Sequence, residues 1–131
     1  MSDRIAGVER LCKALADATR LRILGLLVTG EVCVCHIHES LRLSQPKISR
    51  HLAYLRRAGL VDTRRDGLWI HYRLAALPDP VLDVIRASVC HALGHLDGVR
   101  QDAKRLQKRN GCCLPAAGRP TMSCCRPAPR P

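Results

Sequence analysis

The sequence predicts a mainly α-helical fold that carries one β-hairpin. Apolar residues recur at helical spacing along most of the first 110 positions, and the period changes to alternation only in the stretch LVDTRRDGLWIHYRL. Aromatic residues make up 2% of the chain and Phe is absent, so Leu, Ile, Val and Ala must form the core, which favours packed helices. In a chain of 131 residues we expect one folded domain, residues 1–110, followed by a tail, residues 111–131.

Two amphipathic helices are predicted at the start of the chain. The first has an apolar stripe that is expected to pack against a second subunit, formed by Ile5, Val8, Leu11, Cys12 and Leu15. Within this stripe Cys12 is expected to be a small buried core residue. Asp17 or Thr19 can cap the second helix and Gly30 can end it, and we expect this helix to serve as scaffold.

A short thiol-rich helix is predicted next, because Val34, Ile37 and Leu41 recur at helical spacing. On an ideal helix the side chains of Cys33 and Cys35 would point roughly 160° apart, at about 100° per residue. Both thiolates could then hold one ion only if the first turn of the helix deformed. We therefore expect ion capture to distort this helix, which would suit a switch.

A basic helix follows, and a tight Arg42–Leu43 turn between the two helices predicts a helix-turn-helix. Ser44 can cap the basic helix, Pro46 fits its first turn and Gly59 can end it. Three apolar residues at helical spacing are expected to face the core: Ile48, Leu52 and Leu55.

The opposite face of the basic helix is expected to point outward, with Gln45, Lys47, Ser49, Arg50 and Tyr54. Gln can pair with adenine, Arg with guanine, and Ser or Lys with phosphate. An ordinary solvated amphipathic helix is the alternative interpretation. The residues predicted to contact DNA from this helix are Ser44, Gln45, Lys47, Ser49, Arg50 and His51.

The alternating stretch after Gly59 predicts a β-hairpin that turns at Asp66–Gly67. A hairpin that follows a recognition helix is typical of a wing. Arg64 and Arg65 are predicted at its tip, where they could contact phosphates or the minor groove, although a solvated hairpin end is the alternative.

One long helix is predicted from Pro80 to Lys108, with a broad apolar face suited to a dimer interface. A two-fold dimer would read two half-sites about one turn of DNA apart. On this helix His91 and His95 share a face beside Cys90, so a second metal site there is a further hypothesis, against an ordinary helix surface.

The tail GCCLPAAGRPTMSCCRPAPRP is rich in Pro and small residues and lacks periodicity, so we expect it to be disordered when no ligand is bound. It holds two adjacent cysteine pairs, Cys112–Cys113 and Cys124–Cys125. Adjacent thiolates on flexible backbone are good donors to a soft metal or metalloid. A solubilising tail is the alternative.

The overall charge limits the classes of partner that the chain is expected to bind. A formal charge of +11 and a pI of about 9.9 suit a polyanion such as DNA, although RNA or a membrane surface would also satisfy the charge alone. We expect no membrane association and a cytoplasmic location, because the sequence shows neither a secretory leader nor an apolar run of about 18 residues. The eight cysteines are then expected to be reduced thiols. A catalytic constellation is not apparent, so an enzyme is not predicted.

The segments EVCVCHI, SQPKISRHLAYLRRAGLV and DGLWIHYRL resemble the ArsR branch of the ArsR/SmtB family of metal-responsive repressors. The resemblance covers roughly residues 5–100 and implies a winged helix-turn-helix that dimerises through its first and last helices. It further implies a repressor that binds double-stranded operator DNA and dissociates when trivalent arsenic or antimony binds to cysteine thiolates. No cofactor is required; the effector would be arsenite or antimonite.

The same resemblance implies which cysteines bind the effector. The arsenic-sensing helix of the family has three cysteines, of which the first two match Cys33 and Cys35 and the third falls on His38. The family's zinc motif is not matched, because Asp83 is not followed by His at the required place. The predicted metal ligands are Cys33, Cys35, Cys112 and Cys113.

Several alternatives remain at the level of sequence. Two thiolates could suffice, which would favour a methylated arsenical; the tail could supply the third sulfur; or the tail pairs could form the whole site. A repressor that senses oxidants through its thiols, or a thiol-rich protein that sequesters metal, would use the same residues. The amino-acid sequence does not identify the operator sequence or the regulated genes.

Overall fold

The computed structural model describes residues 2–108, and the predicted tail with Cys112, Cys113, Cys124 and Cys125 lies outside them. Six helices and three strands follow one another in these residues. In chain order they are α1 (Ser2–Leu15), α2 (Ala18–Leu27), β1 (Val32–Cys33), α3 (Val34–Leu41), α4 (Gln45–Arg57), β2 (Val61–Asp66), β3 (Trp69–Leu74), α5 (Pro80–Leu93) and α6 (Asp97–Gln107).

The starts of α2 and α4 are set by local capping, as predicted. The Asp17 carboxylate accepts a hydrogen bond from the Arg20 amide at 3.1 Å and caps α2. The Ser44 hydroxyl accepts from the Lys47 amide at 3.4 Å and caps α4, whose first turn contains Pro46. Gly59 follows α4 with φ of +81°, a left-handed conformation that favours glycine. The predicted helix-turn-helix, α3 and α4, is therefore confirmed.

The core is aliphatic, as the composition predicted. Ile48, Leu52 and Leu55 of α4 are fully buried, and they pack with residues of α2 and α3. The other large side chains that are fully buried are Ile23, Leu24, Leu26, Leu27, Val34, Ile37, Leu41, Leu60 and Val61. This core holds the helix-turn-helix against α2.

The three strands form one antiparallel sheet in the order β1-β3-β2. The hairpin of β2 and β3, which we call the wing, turns one residue later than predicted. Asp66 pairs with Trp69, so Gly67 and Leu68 form the turn. Gly67 has φ of +63°, which explains why the glycine occupies the first position of a two-residue loop.

The prediction of one long helix from Pro80 to Lys108 is wrong. The chain turns between Gly94 and Leu96, and α6 folds back onto α2 and α3. This turn lets three residues of α6 reach the core: Val99, Asp102 and Leu106. The packing is close, because a Cβ on Gly25 of α2 would lie 2.6 Å from Val99 Cγ1. A straight helix would have carried these side chains away from α2.

The apolar faces of α1 and α5 are partly open. Ile5 is 75% exposed and Val84 is 63% exposed. Cys12 is also exposed, so the prediction that it is a core residue is wrong for the single chain. That these two helices pack against a second subunit remains a prediction. Among residues 2–108, no helix combines the length and the apolar character needed to cross a membrane.

Candidate thiol site and nucleic-acid interface

Cys33 and Cys35, which we call the thiol pair, lie where β1 meets α3. Cys33 is the last residue of β1 and the N-cap of α3, with extended φ and ψ of −71° and 145°, whereas Cys35 belongs to the first turn of the helix. Because Cys33 is not helical, the two side chains converge and their Sγ atoms lie 3.1 Å apart. The prediction that these thiols point away from each other is therefore wrong.

The thiol pair is buried, with each cysteine 3% exposed. The contact between the sulfurs lowers the pKa of Cys33, and amide hydrogen bonds at the start of α3 lower it further against the opposing effect of burial. The same contact, together with burial, raises the pKa of Cys35. The contact between the sulfurs therefore favours ionisation of Cys33 over that of Cys35.

Two sulfurs at this distance fit a single soft ion. Metal–sulfur bonds of about 2.3 Å that share one ion hold their sulfurs roughly 3 to 4 Å apart. Within residues 2–108, no group of three or more His, Cys, Asp or Glu side chains is arranged to hold a metal ion. His38 does not complete the pair, since its Nδ1 lies 3.3 Å from the Leu43 carbonyl oxygen in the turn of the helix-turn-helix.

The other end of α3 is held by a buried charge cluster. Asp102 of α6 is 1% exposed and accepts hydrogen bonds from Arg22 at 2.9 Å and from Arg105 at 2.5 Å. The two guanidiniums also donate to the last carbonyls of α3: Arg22 to Leu41 O at 3.0 Å and Arg105 to Ser40 O at 2.6 Å. Cations at a helix C-terminus satisfy its free carbonyls. The C-terminal end of α3 is therefore anchored to α2 and α6.

The start of α4 presents the predicted polar residues. Ser44, Lys47 and Arg50 are exposed and Ser49 is half-buried. None of the charged side chains among these makes an ion pair within the described residues. An exposed helix start with a positive dipole and two cations is suited to a polyanion.

Three other residues of α4 are less exposed than predicted. Gln45 is half-buried, and its Nε2 atom is buried without a hydrogen-bond partner among the described residues. His51 is half-buried, with its Nδ1 3.7 Å from Asp17 Oδ2 and 3.3 Å from an Arg20 nitrogen. Tyr54 lies under the Arg20 guanidinium, which is 4.1 Å from the ring centre. His51 and Tyr54 thus lie against Asp17 and Arg20 at the start of α2, and the exposed residues that were predicted to contact DNA lie at the start of α4.

The two wing arginines differ in their surroundings. Arg65 is exposed, whereas Arg64 forms a bidentate ion pair with Glu31, with N–O distances of 2.6 to 3.1 Å. The Arg64 guanidinium lowers the pKa of Glu31. Arg64 lies in the middle of β2, paired with His71, and not at the tip of the wing as predicted.

The alternative hypothesis of a second metal site at Cys90, His91 and His95 is not supported, because no group of three potential ligands is assembled in residues 2–108, and His95 lies beyond the end of α5. The rings of His91 and His95 are 5.1 Å apart in an edge-to-face arrangement, and burial raises the pKa of Cys90. That Cys112 and Cys113 bind metal stays a prediction, because both lie outside the described residues.

Sequence reasoning missed Glu31 and the cluster of Arg22, Asp102 and Arg105. Asp102 carried a signal, since it lies at helical spacing between the apolar residues Val99 and Leu106 on a helix that is otherwise polar. An acid on the apolar stripe of a helix indicates a buried ion pair. Glu31 carried no comparable signal, because its partner is distant in sequence.

The anchored helix-turn-helix and the antiparallel hairpin after it define a winged helix-turn-helix protein. Residues 17–63 match the model of a family described as bacterial regulatory proteins of the arsR family. Two curated relatives are each 57% identical to the chain. One is the arsenic resistance transcriptional regulator ArsR1 of Pseudomonas putida, matched over 47% of this chain and 49% of that protein. The other is the arsenical resistance operon repressor of Escherichia coli K12, matched over 50% and 57%. The chain thus spans about half the length of these two relatives.

Solved structures extend the match over most of the described residues. HlyU from Vibrio cholerae is 34% identical with a TM-score of 0.62, and the match covers 70% of this chain and 97% of that one. A homodimeric winged helix-turn-helix DNA-binding domain from Mycobacterium bovis, a possible ArsR-family regulator, is 31% identical with a TM-score of 0.59, covering 73% and 90%. The antimony-specific repressor AntR is 27% identical with a TM-score of 0.59, covering 72% and 83%. The chain belongs to the arsR family of bacterial regulatory proteins.

Proposed function

We propose that the protein is a repressor that binds operator DNA as a homodimer and releases it when trivalent arsenic or antimony binds to the thiol pair. The observation that carries this proposal is the 3.1 Å distance between Cys33 Sγ and Cys35 Sγ, at the start of the helix-turn-helix. The names of the relatives support it, since two are arsenic or arsenical resistance regulators and a structural neighbour is an antimony-specific repressor.

The chemistry of capture follows from the two thiols. Arsenite, As(OH)₃, reacts with two thiols to give a bis-thiolate that keeps one hydroxyl, and two molecules of water leave. A third thiol would replace the last hydroxyl and release a third water. Sulfur is the ligand that soft thiophilic ions prefer, whereas imidazole suits zinc or copper. His38, which also faces the turn, is therefore not expected to be a ligand.

Capture would disturb the protein because the thiol pair is buried. Each cysteine is 3% exposed, so an incoming ion must separate the start of α3 from its surroundings. Burial of the thiol pair, and not a need to bring diverging sulfurs together, would therefore make capture distort the helix. The energy of the new sulfur bonds is coupled to the opening of the β1–α3 junction, and DNA affinity falls if the closed junction is the state that binds DNA.

The source of a third sulfur is part of the proposal. Within residues 2–108 the thiol pair has no third ligand, so a three-thiolate site would recruit Cys112 or Cys113 from outside them. A site of only two thiolates would favour a methylated arsenical, in which the methyl group occupies the remaining position.

The proposed DNA contacts come from the first two turns of α4 and from the wing. Ser44, Gln45, Lys47, Ser49 and Arg50 would lie along the major groove, with Arg65 on the flanking backbone. His51 and Arg64 are also proposed contacts. His51 would have to leave Asp17, whereas Arg64 could reach a phosphate with Nη1, the guanidinium nitrogen that does not contact Glu31. The net charge of +11 supports a strong phosphate contribution.

The test is a titration of arsenite into operator-bound protein in the presence of a reductant that is not a thiol. Cys33→Ser and Cys35→Ser should still bind operator but should not release it. Cys12→Ser, which changes an exposed cysteine of α1, is the matched control and should respond normally. A chain truncated at Gly111 should keep the response with at most lower sensitivity. If the truncated chain loses the response while both serine variants keep it, the thiol pair is not the sensing site.

A second candidate is supported by the same sulfur distance. Two thiols 3.1 Å apart need approach by only about another 1 Å to form a disulfide. With hydrogen peroxide as oxidant, the two thiols lose two electrons and two protons, and the peroxide becomes two molecules of water. Peroxide would then release operator DNA in the absence of arsenite, and the reductant used above would reverse the release.

A further inference from the structure

We propose that the thiol pair acts on the wing, through strand β1 and the ion pair of Glu31 with Arg64, and that Glu31 is the residue that positions the wing. This inference rests on the proposed function, in which the thiol pair binds the effector. It assigns to Glu31 a role in regulation. It also means that effector binding displaces the wing in addition to α4.

The first observation is that Cys33 of the thiol pair belongs to the same sheet as the wing. β1 is the third strand of that sheet and pairs with β3 through Val32 with Tyr72 and Cys33 with His71. A ligand that displaces Cys33 therefore acts on a residue that is paired directly with the wing. The route from sulfur to β3 is a single strand pairing.

The second observation is a side-chain link beside this pairing. Glu31 precedes Cys33 by two residues and forms three N–O contacts of 2.6 to 3.1 Å with Arg64 of β2. The two side chains are 28% and 39% exposed, so the pair is partly shielded from water. Bidentate pairs of arginine and carboxylate fix orientation as well as distance. Thus the residues on both sides of Val32 are tied to the wing, one to each of its strands.

The third observation explains why movement would go toward the wing. At its other end α3 is held by Arg22 and Arg105, which donate to its last carbonyls and share the buried Asp102. β1 has only two residues and two pairings. When the start of α3 is displaced, the short strand should give way before the anchored end does. The wing would then lose its pairing with β1 and its ion pair with Glu31 together.

The chain contains a natural reporter for this step. Trp69 is its only tryptophan, and it is the first residue of β3, half-buried against the core. Its fluorescence reports on the wing without a label. Amide hydrogen exchange of β3 gives an independent measure of the β1–β3 pairing.

The experiment adds arsenite to the reduced, full-length protein without DNA. Ultraviolet absorption of arsenic–sulfur bonds measures binding, while Trp69 emission and β3 exchange measure the wing. In the native protein, emission should change and exchange in β3 should accelerate in step with binding. Glu31→Gln should bind arsenite normally, bind operator more weakly, and show an arsenite effect on operator affinity smaller by about threefold or more. Glu9→Gln, an exposed acid on α1, is the matched control and should behave like the native protein.

A charge-swapped variant distinguishes loss of the ion pair from a folding defect in Glu31→Gln. Glu31→Arg combined with Arg64→Glu rebuilds the ion pair with reversed polarity, so the Trp69 response to arsenite, which should be smaller in Glu31→Gln, should be restored. The proposal is overturned if arsenite binds while Trp69 emission and β3 exchange stay constant, or if Glu31→Gln responds as the native protein does. If arsenite does not bind to the thiol pair at all, the proposed function fails, and this inference fails with it.

Discussion

At the scale of single residues, Asp102 is the clearest example of a side chain whose contribution to stability depends on its partners. It is 1% exposed and receives hydrogen bonds from two guanidiniums that are only partly buried. Removing a buried charge leaves its partners uncompensated. We expect Asp102→Ala to lower the free energy of unfolding by about 3 kcal/mol, the lower end for a buried pair, because Arg22 and Arg105 can still reach water. Urea denaturation of the reduced protein measures this loss.

Asp97→Ala is the control for this prediction. Asp97 begins the same helix but is exposed, so its removal should change the free energy of unfolding by less than about 1 kcal/mol. Equal effects of the two substitutions would mean that the Asp102 cluster does not stabilise the fold.

At the scale of elements, the DNA contacts proposed for α4 are of two kinds, contacts to bases and contacts to phosphates. We expect Arg50→Ala to cost about 1 to 3 kcal/mol on operator DNA and little on random DNA, because a base contact is lost. Gln45→Ala should behave in the same way, provided that its buried amide turns outward on binding. Lys47→Ala and Arg65→Ala should weaken both complexes about equally, as phosphate contacts do. Fluorescence anisotropy with the two duplexes measures these affinities.

Ala53→Ser provides a control on the same helix, because Ala53 is exposed but lies beyond the first two turns of α4. It should bind both duplexes like the native protein. If Arg50→Ala and Lys47→Ala lose the same affinity on operator and on random DNA, α4 does not read bases with Arg50.

At the scale of the whole molecule, the charge of +11 and the open faces of α1 and α5 predict how the complex assembles. We expect one homodimer on a nearly two-fold symmetric duplex. If about 6 to 10 phosphates are contacted, affinity should fall on the order of 10³ to 10⁵ between 50 and 200 mM salt. Sedimentation gives the stoichiometry and a salt titration gives the slope. A monomer on each duplex, or affinity independent of salt, would contradict this assembly.

The elements that depend on neighbouring residues could be predicted from the sequence. Asp17 and Ser44 cap their helices as expected, because capping needs only residues three positions apart. The turn of the wing was displaced by one residue, since both Asp66–Gly67 and Gly67–Leu68 place the glycine in the loop. Local chemistry does not distinguish these two registers.

The features that depend on distant partners could not be predicted. Cys33 was expected to be helical because Val34 and Ile37 follow it at helical spacing, but its conformation is set by pairing with His71. Arg64 was expected to be free, yet its partner Glu31 lies 33 residues earlier. Asp102 and Arg22 are 80 residues apart. Periodicity within a window contains no information about such contacts.

Burial of the thiol pair also has a consequence for timing. An ion cannot reach sulfurs that are 3% exposed until the junction of β1 and α3 opens. At low effector concentration the rate of capture should rise with dose, but at high concentration it should level off at the rate of opening. Above the concentration at which the rate levels off, the delay before the response would depend on the protein and not on the amount of arsenite. Under the proposed function, covered thiols would thus limit how fast a cell can react to a sudden exposure to the effector.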